Sequence, residues 1–325
     1  MHLDSTDREL LDLVQAEFPL ASEPYSDLGL RLGTDKDAIM GRIARLKAEG
    51  IIRQIGPVLD ARSLGYHTTL VAMRVTEDQV EAAERLIAAY PGVSHGYERE
   101  HHFNLWFTFA AQGGADMEAE LQQLTGPIEA EAVFSLPAKR VFKIGAYFDM
   151  GADGQRSPVT RSVGGFTQPA ELSPVERSVL NELQQELPLV PRPFTDMAAR
   201  LGMNVDDFLA QCRSLQKRGI IRRFGASIDH HKVGFKANAM TCWATPPDMV
   251  EAAGRKLASL REVSHCYERQ TNHLWHYNLF AMIHGHTREE CQAIASQVSL
   301  ETGLRDYAML FSTREFKKTR IRYLV

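Results

Sequence analysis

The sequence predicts an α+β protein built by tandem duplication, each copy a winged helix-turn-helix followed by a ferredoxin-like βαββαβ domain. Three observations carry this prediction. Residues 93–100, VSHGYERE, return 170 positions later as VSHCYERQ at 263–270. Flanking segments echo too: LGLRLGT (28–34) with MAARLGM (197–203), EGIIRQIGPVLD (49–60) with RGIIRRFGASID (218–229) and, loosely, KRVFKIG (139–145) with TREFKKT (313–319). A period this long marks a duplicated domain pair and not a solenoid. Finally, within each copy the apolar pattern changes once, from helical spacing to strand alternation.

The first copy opens with three helical stretches, DRELLDLVQAEF, SDLGLRLG and KDAIMGRIARLKAEG. In the third, Ile39, Ile43 and Leu46 recur on one helical face. Gly50, and Gly219 in the second copy, follow the last turn, where a helix C-terminus favours glycine. GIIRQIG and GIIRRFG then read as short strands, the wing. Next come YHTTLVAMRV (strand), EDQVEAAERLIAAY (helix), VSHGYER and FNLWFTFAA (strands), ADMEAELQQLTG (helix) and AVFSLPAKRVFKI (strand). The second copy repeats the order with ANAMTCWATP, DMVEAAGRKLASL, VSHCYER, HYNLFAMIHG, REECQAIASQVSLETG and YAMLFSTREFKK. The boundaries expected are a winged helix over 1–60 and a ferredoxin-like domain over 61–150. A Gly/Ser/Thr/Pro-rich linker follows over 151–169, then the second winged helix (170–229) and ferredoxin-like domain (230–325). The whole resembles two Lrp/AsnC-type regulators joined end to end.

Composition narrows the function. The 325 residues are 44% hydrophobic and 24% charged, as in an ordinary globular protein, and no apolar run is long enough to span a bilayer. The N-terminus MHLDSTDREL is acidic and polar, unlike a secretion signal. Cys212, Cys242, Cys266 and Cys291 form no CxxC pair and read as reduced thiols of a cytoplasmic protein. A net charge of −4 gives no global attraction for nucleic acid. The helix that reads DNA in an Lrp/AsnC regulator here starts with Asp35, Lys36 and Asp37. Its second copy starts with Asp206, Asp207 and Phe208 at the groove-facing positions. Carboxylates there repel phosphate, so DNA binding is expected to be lost.

The repeated strand points elsewhere. Alternation puts His95, Tyr97 and Arg99 on one face, and likewise His265, Tyr267 and Arg269. Such a face either grips an anion through guanidinium forks and imidazoles or is a solvated exterior with Tyr and Arg stacked. Histidine-rich neighbours favour the first reading: His101 and His102, then His273, His276, His284 and His286, and the wing segment with Arg222, Arg223, His230 and His231. By alternation His276, Asn278, Phe280, Met282 and His284 share a face. No HExxH or CxxC spacing occurs, so no metal site made by the protein alone is expected. With Phe235, Trp243, Trp275 and Phe280 nearby, the implied ligand is broad, flat, apolar and fringed with carboxylates. The copies are unequal. Ala110 stands where the second has His284, Ala61–Arg62 where it has His230–His231, and His101 lies in the shorter loop of the first. One composite site is expected, not two equal ones.

RRFGASIDHHKVGFKANAM (222–240), then CYER and W-x-YNLFAMIHG, resembles the siroheme decarboxylases. The first half looks like their NirD type and the second like the NirL, NirG or NirH partner, a fused form of a two-subunit enzyme. His276 departs from the pattern, which has proline there. The resemblance implies decarboxylation of two acetates of siroheme to 12,18-didecarboxysiroheme, in haem d1 or alternative haem biosynthesis. It implies no cofactor beyond the iron of the substrate, a homodimer, and other haem-pathway enzymes as partners. On this reading His101 and His284 deliver protons. His230 shares that role or ligates the substrate iron. Arg222, Arg223, Arg269 and Lys317 clamp carboxylates with Arg99 and Tyr97, while Tyr267 orients the ring. The competing readings are a DNA-binding regulator and a tetrapyrrole sensor or carrier that releases its ligand unaltered.

Overall fold

The computed structural model describes residues 3–145 and 168–323. The linker expected at 151–169 lies, but for its last two residues, outside them. The first copy comprises α1 (Ser5–Ala16), α2 (Pro24–Leu32), α3 (Lys36–Ala48), β1 (Ile52–Leu59), β2 (Tyr66–Arg74), α4 (Val80–Ala89), β3 (Val93–Arg99), β4 (Leu105–Gln112), α5 (Met117–Thr125) and β5 (Ala132–Ile144). The second comprises α6 (Pro174–Leu183), α7 (Pro193–Arg200), α8 (Val205–Lys217), β6 (Ile221–Ile228), β7 (Ala237–Trp243), α9 (Val250–Ser259), β8 (Val263–Arg269), β9 (Leu279–Gly285), α10 (Arg288–Thr302) and β10 (Tyr307–Lys318).

Local chemistry sets the helical units. Capping boxes start α1 (Asp4 with Asp7) and α6 (Ser173 with Glu176). Gly50 (φ 69°) and Gly219 (φ 81°) take the left-handed turn after α3 and α8. The two units are not independent: Leu10, Ile43 and Leu46 share one buried core with Phe194, Leu215 and Phe224. Each supplies one wing strand, and the two strands pair with each other, β1 antiparallel to β6 with Gly56 opposite Gly225. Phe208 does not take the groove-facing position expected from sequence. The side chain is fully buried beside Phe194, because the apolar face of α8 is needed to close the shared core. Asp35 caps α3 by accepting from the Ala38 amide (2.8 Å), and Arg45 is paired with Asp7 (2.6 Å).

The remaining strands form one closed barrel in the order β10-β3-β4-β2-β5-β8-β9-β7. Each ferredoxin-like sheet would have a free edge, a row of unpaired amides and carbonyls open to wrong partners. The long last strands remove it. β5 pairs with β2 as far as Pro137 and with β8 from Ala138 onward. β10 pairs with β7 through Phe311 and with β3 from Ser312. Each repeated strand therefore lies between its own copy and the tail of the other. Helices α4 and α5, and α9 and α10, cover the outside over separate apolar cores. Inside, Trp106, Phe134, Trp275 and Phe280 from both copies pack together, with the Trp106 and Trp275 centroids 5.0 Å apart. Among the described residues no helix is long and apolar enough to cross a membrane.

Candidate active site

A cavity of about 380 Å³ occupies the barrel beneath the wing sheet, lined by both copies. Strand alternation stacks the repeated triads along it. Arg99 and Arg269 are each tied to the crossing strand of the other copy. Arg99 donates to the Leu310 carbonyl (3.0 Å) and Arg269 to the Leu136 carbonyl (2.9 Å). Their guanidinium groups lie over Tyr97 (5.1 Å) and Tyr267 (4.5 Å), and burial pulls each pKa down to about 10. Nearer the wing stand His95 and His265, with Ser94 and Ser264 hydroxyls each 2.9 Å from an Nδ1.

Ser264 also reaches His284 Nε2 (2.8 Å), and the His284 ring lies 5.3 Å from that of His230. His230 Nδ1 is 3.2 Å from Lys318 Nζ, and Lys318 is 3.2 Å from Glu315. Arg53 bridges Glu315 (2.8 Å) to Asp229 (2.9 Å). Burial, and then repulsion from Lys318 or from a neighbouring imidazole, depresses every imidazole here: His95 to about 4, His265 and His284 to about 3, and His230 strongly downward. At neutral pH they are uncharged. Among the described lining residues the one carboxylate is Asp60, paired with Arg222, and Glu315 behind the lining pairs with Lys318, while Arg62, Arg99 and Arg269 add further positive charge. A pocket with that imbalance is completed by an anion.

The two poles differ. His284 sits opposite Asn238, where the other copy has Ala110 opposite Thr68. Lys318 sits opposite His95, where the other copy has Ile144 opposite His265. Protic groups therefore crowd one pole and apolar ones the other.

Of the residues expected from sequence, the cavity gathers Tyr97, Arg99, Arg222, His230, Tyr267, Arg269 and His284. Three lie elsewhere. His101 packs beside Trp275 (5.4 Å) and accepts from the Phe103 amide (3.1 Å), outside the lining. Arg223 donates to the Gln15 carbonyl behind the wing. Lys317 donates to the Tyr90 carbonyl (2.7 Å), just as Lys143 donates to Leu260 (2.7 Å), so both secure a helix end. His276 and Asn278 precede β9; His276 meets Asp306 (3.1 Å) and Asn278 holds Thr245 (2.8 Å). Lys318, Ser264 and Asn238 line the site unheralded. Alternation pairs Asn238 with Met240 on the inner face, whereas Ser264 and Lys318 turn inward only because the ladders shift beside them, between Val263 and His265 and between Glu315 and Lys317. His230, His231 and Glu315 also bring three metal-donor atoms within 4.8 Å of one another. A divalent ion there would have to displace Lys318 and Arg53 from Glu315.

Fold and site together define a duplicated AsnC-type ligand-binding domain closed around one shared cavity. The model of the AsnC-like ligand binding domain matches residues 63–143 and 232–317, and that of the siroheme decarboxylase NirDL-like HTH domain matches 7–53 and 176–222. The siroheme decarboxylase of Hydrogenobacter thermophilus is 38% identical over 97% of this chain and 94% of its own. The siroheme decarboxylase beta subunit of Methanosarcina barkeri is 44% identical over 44% of this chain, the length of one copy, and 95% of its own. A crystal structure of the siroheme decarboxylase NirDL in co-complex with an iron-uroporphyrin III analogue superposes with a TM-score of 0.73 at 35% identity, over 99% of this chain and 95% of that one. The chain belongs to the siroheme decarboxylase family and is an enzyme of the decarboxylase class.

Proposed function

We propose that the barrel cavity binds siroheme and that the chain removes carbon dioxide from two of its acetates, giving 12,18-didecarboxysiroheme. The observation that carries this reading is the excess of cations and imidazoles in a cavity walled by Trp106, Tyr97, Tyr267 and Phe280. The iron-uroporphyrin analogue bound by the structural relative supports it. Arg62 and Arg222, both in the lining, are at hand for the acid side chains on a tetrapyrrole's rim.

In each step the bond from methylene to carboxylate breaks and carbon dioxide leaves. The electron pair passes into the conjugated ring, and the methylene carbon then takes one proton. The substrate is its own electron sink and brings its own iron, so the proposal needs no added cofactor. Arg222 and Arg269 steady the remaining carboxylates, and the aromatic wall desolvates the reacting one. His284, charged once a substrate carboxylate lies beside it, supplies the proton with His230 behind it at the protic pole. The four described cysteines are all buried and unbridged, which supports a cytoplasmic setting. The product feeds haem d1 or alternative haem synthesis, with the enzymes before and after this step as partners.

Anaerobic incubation with siroheme followed by mass spectrometry tests the reading. The expected product is lighter by two carbon dioxides, with the rate reduced roughly 100-fold or more in His284→Ala and nearly unchanged in His101→Ala. A macrocycle that binds and is recovered at its original mass would make the chain a carrier and sink the proposal.

A further inference from the structure

Lys318 has no equivalent in the other copy, where Ile144 takes its place. A largely covered ammonium in an isoleucine position is costly unless its donors are used. Two groups hold it, Glu315 and His230 Nδ1, each at 3.2 Å. An ammonium only donates, so Nδ1 accepts, and a neutral imidazole whose Nδ1 accepts carries its hydrogen on Nε2. His230 is fully buried beside His284 and cannot easily turn to reverse this choice. Glu315 is anchored in turn by Arg53, and Arg53 by Asp229, so the lysine is supported from behind.

We infer that Lys318 is a positioning residue for the decarboxylation: it fixes the Nε2–H tautomer of His230 and thereby orders the His230–His284 pair that hands a proton to the substrate. This rests on the siroheme reading above. In the step it serves, the carbon–carbon bond to the departing carbon dioxide breaks and its electron pair ends in a new carbon–hydrogen bond. The proton leaves a His284 imidazolium, formed when a substrate carboxylate lies beside it, which returns to neutral imidazole and is recharged from solvent.

Two measurements on the full chain decide it. The first needs no turnover: nitrogen-15 NMR of histidine-labelled protein at neutral pH. His230 should appear as the Nε2–H tautomer in the parent chain and in Lys318→Arg, and as a tautomer mixture in Lys318→Met. A folded Lys318→Met protein with an unchanged His230 tautomer overturns the proposal. The second is anaerobic single turnover with siroheme. Lys318→Met should lower the rate roughly 10- to 100-fold while the Kd stays within about threefold, and Lys318→Arg should recover most of the loss. A weakened Kd with an unaltered rate would make Lys318 a carboxylate clamp and defeat the inference. A parent chain that binds siroheme without decarboxylating it would defeat the functional reading instead, while the NMR result still reports whether Lys318 sets the tautomer.

Discussion

Loading the cavity with a polycarboxylated macrocycle should draw protons out of solution. In the free protein His265 and His284 titrate near 3, chiefly because burial penalises their charged forms. A bound carboxylate about 4 Å from His284 contributes roughly 4 kcal/mol at an effective dielectric near 20, enough to lift its pKa from about 3 to about 6. Because the bound pKa is the higher one, affinity rises as pH falls through about 6, and binding takes up protons there. Isothermal titration calorimetry with iron-uroporphyrin III, run in buffers of different ionisation enthalpy, counts those protons. The expectation is about half a proton or more per ligand at pH 6, approaching zero by pH 8, with a clear reduction in His284→Gln. Zero uptake at pH 6, or equal uptake in the variant, would refute the claim that substrate carboxylates face this imidazole.

Three further outcomes follow from the same geometry. His284 is neutral in the fold to about 3, whereas an unfolded histidine protonates near 6.5. The free protein should therefore lose about 1.4 kcal/mol per pH unit below 6.5 through this residue, and denaturation at pH 7 and pH 5 should show a smaller loss in His284→Gln. Arg99→Ala strips the Leu310 carbonyl and Ser312 of a buried donor where β10 crosses between copies, and should cost about 2–3 kcal/mol by chemical denaturation. Residues 1–150 and 168–325 expressed as separate chains should co-purify, since β3–β10, β5–β8 and the shared helical core join them, and neither should give a stable monomer on size exclusion.

Much of this architecture was legible because it is local. The octapeptide repeat, the glycines after α3 and α8, and the alternation of His95, Tyr97 and Arg99 each depend on residues a few positions apart. The contrast between Ala110 and His284 was legible too, because both copies keep the same strand pairing. What escaped is long-range. Nothing in GIIRQIG says that its partner strand lies in the other copy, nor that β5 and β10 change partners midway. Lys317 and Lys318 exchange faces because the ladder to β3 shifts between Glu315 and Lys317, leaving Phe316 as an extra residue. That ring packs where a side chain on Gly96 would stand, a contact visible only once the strands meet. His101 shows the opposite limit: a histidine in a connection has no alternation to fix its direction, and here it turns to Trp275.

One chamber, shared by unequal copies, is the proposed seat of the substrate. A crystal structure of the chain with iron-uroporphyrin III bound tests this most directly. It should show one macrocycle inside the barrel, with carboxylates beside Arg222 and His284 and the ring against Tyr97 and Tyr267. A macrocycle on the outer surface, or a second one bound equivalently at the Ile144 pole, would contradict it.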